Sequence, residues 1–303
     1  MSPADRDPIL DEAGRLLGAG VEVVADVTPP WAGSTRSRLV RAGGEGYVLQ
    51  FGPRRSIARR ARLTVALHDR APWLPVPEVV AADTDPRGNL LSFLIMRAIP
   101  GVSGREAHDG DDTAARLGGA MGRLLPGIAA VPVAGLHLSS TWADAGRLTR
   151  AAAGWLARAT PALGSREVRH LRESIDRLPE CYAGARPVLA HGDFVPVNVI
   201  LRGGRVVALL DLEHARLGHP LFDAARWLAV VGYHHPDRLP PASRAFLEAA
   251  GIGADGRTHA DLATIGALQS LERVARSSTA GTFVRHVELL RSCMRGTPSV
   301  AFS

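Results

Sequence analysis

Apolar and polar positions fall into two textures that change near Gly101. Upstream, apolar residues come in short β-branched runs separated by Gly-rich or polar turns. VEVVADV, the two arms of WAGSTRSRLVRAGGEGYVLQF and LLSFLIM read as strands, the last of them buried and bounded by RGN and PG. Between them RRSIARRARLTVALHDR reads as a helix, with Ile57, Ala61, Val65 and His68 at helical spacing, closed by the prolines of APWLPVP. Downstream, long Ala, Leu and Arg-rich runs predict helices over about 113–125, 140–159, 165–178, 243–250 and 261–294. One island of strand character interrupts them, PVLAHGDFVPVNVILRGGRVVALLDLE, whose apolar arms flank RGG and predict a hairpin. The expected fold is therefore α+β with two lobes: a small sheet-rich N-lobe over 1–101 and a larger, mostly helical C-lobe over 102–303. A hairpin at 188–213 carries the acids, and the layout is that of a cleft enzyme.

Composition narrows the class. The 303 residues are 46% apolar and 22% charged, which excludes disorder and fibrous structure. The longest apolar stretch, Leu90 to Met96, is far too short to span a bilayer, and the N-terminus MSPADRDPILDE is acidic where a signal peptide would be basic. A cytoplasmic protein without a membrane partner is expected, either monomer or homodimer. The two cysteines, Cys181 and Cys293, are too few for a disulfide framework or a four-cysteine zinc site. The net charge of +6 invites a nucleic-acid reading, yet all 36 basic residues are arginines interspersed with acids, dense only at Arg54 to Arg62. That distribution argues against nucleic acid. It also leaves any mechanism without a lysine ammonium group.

The chemistry is concentrated in the island. His191, Asp193, Asn198, Asp211 and Glu213 are set in otherwise apolar sequence, where ionised carboxylates need a partner or a cation. Oxygen ligands without cysteine or paired histidines favour a hard cation such as Mg²⁺, and Mg²⁺ on oxygens suggests phosphate chemistry. HGDFVPVN, followed thirteen residues after its Asn by DLE, resembles the catalytic and metal-binding segment of the aminoglycoside phosphotransferase and choline kinase group, small-molecule relatives of protein kinases. ARLGHPLFDAARW, with Gly218, Pro220 and Asp223 in register, extends the resemblance, which covers about 33–227. It implies a bilobal protein-kinase-like fold and ATP-dependent transfer of a phosphoryl group to a hydroxyl of a small molecule, be it an antibiotic, a sugar or an amino alcohol. GTP is the alternative donor. By the same resemblance Asp193 is the base, Asn198 and Asp211 hold Mg²⁺, and Asp223 bonds the loop backbone; Glu213, two residues after Asp211 and so expected on the same strand face, is a further candidate ligand. His191 would support the loop.

The chain departs from the family where kinases carry a lysine on the third strand and a glutamate on the following helix. Gln50 stands at the first position and Arg60 nearest the second. An exchanged pair is expected, with Arg60 reaching the phosphates and Gln50 hydrogen-bonded to it. The competing reading is a catalytically impaired nucleotide- or ligand-binding relative. The turn WAGSTRS, with Gly33 and Ser34, resembles the nucleotide loop, and FLIMRAIPG places Met96, Arg97 and Ile99 at the adenine edge. Trp142, Trp155, Trp227, Tyr233 and Phe283 are candidates for the acceptor surface, though each reads more readily as core. From Gly104 onward arginines outnumber acids, which argues for an acceptor less cationic than an aminoglycoside.

Overall fold

The structure, a computed structural model, describes residues 7–29, 34–84, 91–108 and 111–294. It separates into two compact units, Met1–Gly101 with Val207–Glu213, and Val102–Val206 with His214–Ser303. The segment 207–213, which the sequence reading groups with the helical part, belongs to the first unit.

In the first unit the chain runs α1 (Pro8–Leu17), β1 (Val21–Asp26), β2 (Arg36–Ala42), β3 (Glu45–Gly52), α2 (Arg54–Arg70), β4 (Val79–Asp83) and β5 (Ser92–Arg97). The strands pair antiparallel in the order β1-β2-β3-β5-β4. Strand alternation gives the sheet two apolar faces. Tyr47, Leu49, Phe51, Phe93 and Ile95 pack with Ile9 and Ala13 of α1, whereas Leu94 and Met96 pack with Ile57 and Ala61 of α2. Helix α1 is an addition to the expected elements, although Ile9, Leu10, Ala13, Leu16 and Leu17 recur at helical spacing. Its signals are local: Asp7 accepts a hydrogen bond from the Ile9 N–H (3.0 Å), proline follows at once, and Gly18 ends the helix at φ +68°.

Helix α2 forms where it is expected, but its buried face differs. Val65 is 42% exposed and His68 lies outside the core, while Ile57, Arg60, Ala61, Thr64 and Leu67 are buried. The reason is Arg60. Its Nη1 and Nη2 are paired, as described below, while its Nε is buried without a hydrogen bond, and so a polar residue shares the buried face from which Val65 is turned away.

The second unit runs β6 (Val102–Ser103), α3 (Asp111–Gly122), α4 (Leu125–Ala129), α5 (Ala145–Ala159), α6 (Ser165–Asp176), α7 (Leu178–Cys181), β7 (Val188–Ala190) and β8 (Val199–Arg202). The chain continues through β9 (Arg205–Leu209), whose residues from Val207 on belong to the first unit, and then, in the second, β10 (Arg216–Gly218), α8 (Phe222–His234), α9 (Leu239–Ala249), α10 (Gly256–Arg276) and α11 (Ala280–Met294). The hairpin turns on Gly203 and Gly204, at φ +58° and +73°, the conformation an RGG turn needs. The run 261–294 is two helices, because α10 begins early, capped by Asp255 on the Thr258 N–H (2.9 Å), and the chain leaves helical conformation at Ser277. Helices α3 and α9 approach closely: a Cβ on Gly118 or Gly122 would meet the Ala242 or Phe246 carbonyl oxygen at 2.2 Å. Helix α8, missed as a helix in the sequence, is almost wholly buried and brings Asp223 and Arg226 to one side.

Candidate functional site

In the second unit the segment after β7 is built around Asp223, at the start of α8. Its Oδ2 accepts the His191 N–H (2.7 Å) and its Oδ1 the Gly192 N–H (3.0 Å), which pins the backbone before Asp193. Burial pushes the Asp223 carboxyl up, opposed by His191 and by the two N–H donors. Gly192 sits at φ +86°, and a Cβ there would lie 2.0 Å from the His214 carbonyl oxygen, so no other residue fits between His191 and Asp193. His191 is buried, and its Nδ1 accepts the Asp193 N–H (3.3 Å), the supporting role expected of it.

Asp193 itself meets three groups. Asn198, five residues on in a short 3₁₀ turn, donates from Nδ2 to the Asp193 carbonyl oxygen (2.8 Å) and to Oδ2 (3.4 Å). Oδ1 accepts from Arg226 Nε of α8 (3.0 Å) and Arg273 Nη2 of α10 (2.6 Å). Burial alone would raise this carboxyl; Arg226 and Arg273, helped by His214 and His191, outweigh it and hold Asp193 well below the usual carboxylate range. The cost appears on Arg226, which burial and the neighbouring Arg273 lower to about 10. Neither arginine is apparent as a site residue in the sequence. Arg226 carries a faint signal, three residues after Asp223 on one helix face, whereas Arg273 is 80 residues from its partner and carries none.

The first unit holds a second charged cluster. In β3, Tyr47, Leu49 and Phe51 face α1, so Gln50 faces α2, where Arg60 meets it: Arg60 Nη1 donates to Gln50 Oε1 at 2.9 Å. Gln50 Nε2 in turn donates to Ser37 Oγ (3.3 Å). Arg60 Nη2 pairs with Asp211 Oδ1 (2.9 Å) and Glu213 Oε1 (2.7 Å). Ser56 Oγ donates to the other Glu213 oxygen (2.6 Å), and Arg59 Nε to the Glu213 carbonyl oxygen (2.6 Å). Asp211 and Glu213 do not share a strand face as the sequence suggests, because β9 ends at Leu209. Asp211 takes φ +62° and Glu213 lies in a 3₁₀ turn. The turn and the shared guanidinium bring the two carboxylates together.

The remaining candidates are spread over the same unit. Gly33 lies outside the described residues. Ser34 is exposed, and its loop lies over the end of β3, where a Cβ on Gly52 would meet the Ser34 carbonyl oxygen at 3.0 Å and Thr35 Cα at 3.1 Å. Met96 is buried on the α2 face of the sheet. The Arg97 N–H donates to the Glu78 carbonyl oxygen (3.0 Å) and its side chain to Glu78 and Glu45, so this N–H is already engaged. Ile99, two residues on and beyond the end of β5, belongs to no strand. The tryptophans are structural: Trp142 and Trp227 are fully buried, Trp142 Nε1 donates to Glu272 (3.0 Å), and Trp227 stacks on Phe246 at 4.2 Å.

A family model described as the APH phosphotransferase enzyme family matches residues 26–262. No curated protein matches the chain in sequence. Among solved structures, a ternary complex of a thermostable mutant of aminoglycoside phosphotransferase APH(4)-Ia with ADP and hygromycin B is similar with a TM-score of 0.70 at 16% identity, covering 98% of this chain and 100% of that one. The macrolide 2'-phosphotransferase MphH from Brachybacterium faecium gives 0.68 at 19% identity, covering 94% and 98%. The GDP complex of aminoglycoside 2'-phosphotransferase-IIIa gives 0.70 at 14% identity, covering 90% and 93%. At such identities these structures establish a shared kinase-like fold, and the family match spans most of the chain, residues 191–213 included. The chain belongs to the APH family of phosphotransferase enzymes.

Proposed function

We propose that this small-molecule kinase moves the γ-phosphoryl group of ATP to an alcohol hydroxyl of a small molecule, with Asp193 as base and Asn198 and Asp211 as ligands of Mg²⁺. GTP is the alternative donor. The observation that carries the reading is the loop at Asp193. Its backbone is fixed by Asp223, its carboxylate is held ionised by two guanidinium groups, and Oδ2, which among the described residues takes only a long contact from Asn198, is left to accept the acceptor's proton. As the hydroxyl oxygen forms its bond to the γ-phosphorus, the bond to the β-phosphate oxygen breaks and the nucleoside diphosphate leaves.

The donor set suits the cation. Asn198 spends its amide nitrogen on Asp193, which turns its Oδ1 the other way, and Asp211 Oδ1 is buried with an ion pair to Arg60 and no hydrogen bond. Oxygen donors of this kind fit a hard divalent cation. When bound, Mg²⁺ would neutralise negative charge on the phosphates. Glu213, both of whose oxygens are engaged by Arg60 and Ser56, is read as the anchor of Arg60. Arg60, aligned by Gln50, supplies the positive charge that a lysine gives in related kinases.

Incubation with ATP, Mg²⁺ and a panel of hydroxylated antibiotics and metabolites, followed by mass spectrometry, tests the reading. A gain of one phosphoryl group is expected, with turnover reduced about 100-fold or more in Asp193→Asn. An undiminished rate in that variant would remove Asp193 as the base. Nucleotide binding with no acceptor modified would instead establish the catalytically impaired relative.

A further inference from the structure

Two guanidinium groups converge on the Asp193 carboxylate. Arg226 and Arg273 both spend their hydrogen bonds on one oxygen, Oδ1, so two guanidinium groups share one anion. Arg226 is 9% exposed and Arg273 presents 28% of its side chain, so the pair lies at the edge of the interior, where excess charge is poorly screened. Two acids on the adjoining helices are spent. Glu272, on α10 beside Arg273, is taken by Arg216 (3.1 Å), Arg276 (2.9 Å) and Trp142, and Glu288 of α11 accepts from the Tyr233 hydroxyl (2.8 Å). The same arginines disfavour charge on two nearby histidines. His286 of α11 is lowered by burial and then by Arg273, Arg226 and Arg285. His234, at the end of α8, is lowered by burial, then by His235, Arg285, Arg226 and Arg105.

We infer that the acceptor is a hydroxylated organic anion whose carboxylate or phosphate is held by Arg226 and Arg273, which select it against polycationic acceptors. This rests on the kinase reading above and names its substrate class. Both guanidinium groups touch the proposed base, at 3.0 and 2.6 Å, so the acidic group must sit only a few bonds from the hydroxyl that is phosphorylated. Short hydroxy acids and phosphorylated alcohols satisfy that geometry. Guanidinium forks match the planar or tetrahedral oxygens of either group. A polycation would bring like charge against two arginines that have one counterion between them.

The test has an arm that does not depend on turnover. Inorganic phosphate, titrated into the full chain without nucleotide, is expected to raise the melting temperature saturably in the wild type and in Arg273→Lys, and to lose that effect in Arg273→Gln. Protection that persists in Arg273→Gln but disappears in Arg60→Gln would place phosphate at the nucleotide cluster and overturn the proposal. In the second arm, 2- and 3-hydroxy acids and glycerol phosphate are compared with the matching amides, with free glycerol and with aminoglycosides. The acids or the phosphate ester should be preferred about tenfold or more in kcat/KM, with the preference collapsing in Arg273→Gln. Preferential phosphorylation of neutral or cationic acceptors would overturn the proposal and leave the kinase reading standing. Arg273-dependent phosphate protection with no acceptor modified would uphold the anion site and sink the kinase reading.

Discussion

Asp193 is a partly buried carboxylate that titrates below its ordinary range, because two cations outweigh its desolvation. The sign of the consequence follows. A depressed carboxyl contributes stability that is complete above the unfolded value of about 4 and is lost as pH falls through the folded value. Asp193→Asn should therefore lower stability by about 2–4 kcal/mol at neutral pH, since it leaves Arg226 and Arg273 facing each other without a counterion. In chemical denaturation the gap between variant and wild type should stay constant from about pH 5 to 8 and narrow only in stronger acid. A gap that closes near pH 7 would mean that another group controls the pair. Arg60 gives a second prediction at this scale. Arg60→Ala should weaken ATP binding about tenfold or more by calorimetry, while Arg62→Ala, exposed on the same helix, should leave it unchanged. Equal effects would refute the exchanged pair.

Elements place these residues, and here the backbone decides. Gly192 combines φ +86° with a carbonyl oxygen 2.0 Å from where a Cβ would go, so Gly192→Ala should cost about 2 kcal/mol or more and displace Asp193. Denaturant unfolding and turnover should fall together in that variant; a folded, fully active protein would show that the loop tolerates rearrangement. Asp223 is the opposite device, a side chain that replaces backbone partners for two N–H groups. The pairing of β3 with α2 was readable locally. Period 2 along Tyr47, Val48, Leu49 and Gln50 assigns Gln50 to the helix side, and the helix carries Arg60 toward it. The face of α2 was not, because periodicity scores a buried arginine as solvent-facing until its three partners are known.

For the whole molecule, the arginine-only basic composition takes on meaning through where the cations lie. One group serves Gln50, Asp211 and Glu213 in the first unit, and another serves Asp193 in the second. A net charge of +6 does not reveal these uses, which appear only in where the folded chain places the cations. No helix among the described residues is long and apolar enough to cross a membrane. Phosphoryl transfer should require the divalent ion. Chelation with EDTA should abolish turnover and added Mg²⁺ restore it, as followed by release of nucleoside diphosphate, and turnover that survives chelation would remove Asn198 and Asp211 as metal ligands.

What the sequence determined by itself was local: the change of texture near Gly101, the strands and most helices, the RGG hairpin, and the His191, Asp193, Asn198 and Asp211 spacing that resembles a kinase loop. These follow from periodicity, turn chemistry and short separations, which a linear pattern contains. Tertiary structure alone decided the partners. Arg273 reaches Asp193 across 80 residues, Arg60 reaches Glu213 across more than half the chain, and the end of β9 at Leu209 gives Asp211 and Glu213 their directions. Such pairings depend on which faces pack together. A charge written in the sequence has a sign, but its partner and its dielectric surroundings exist only once the chain is folded.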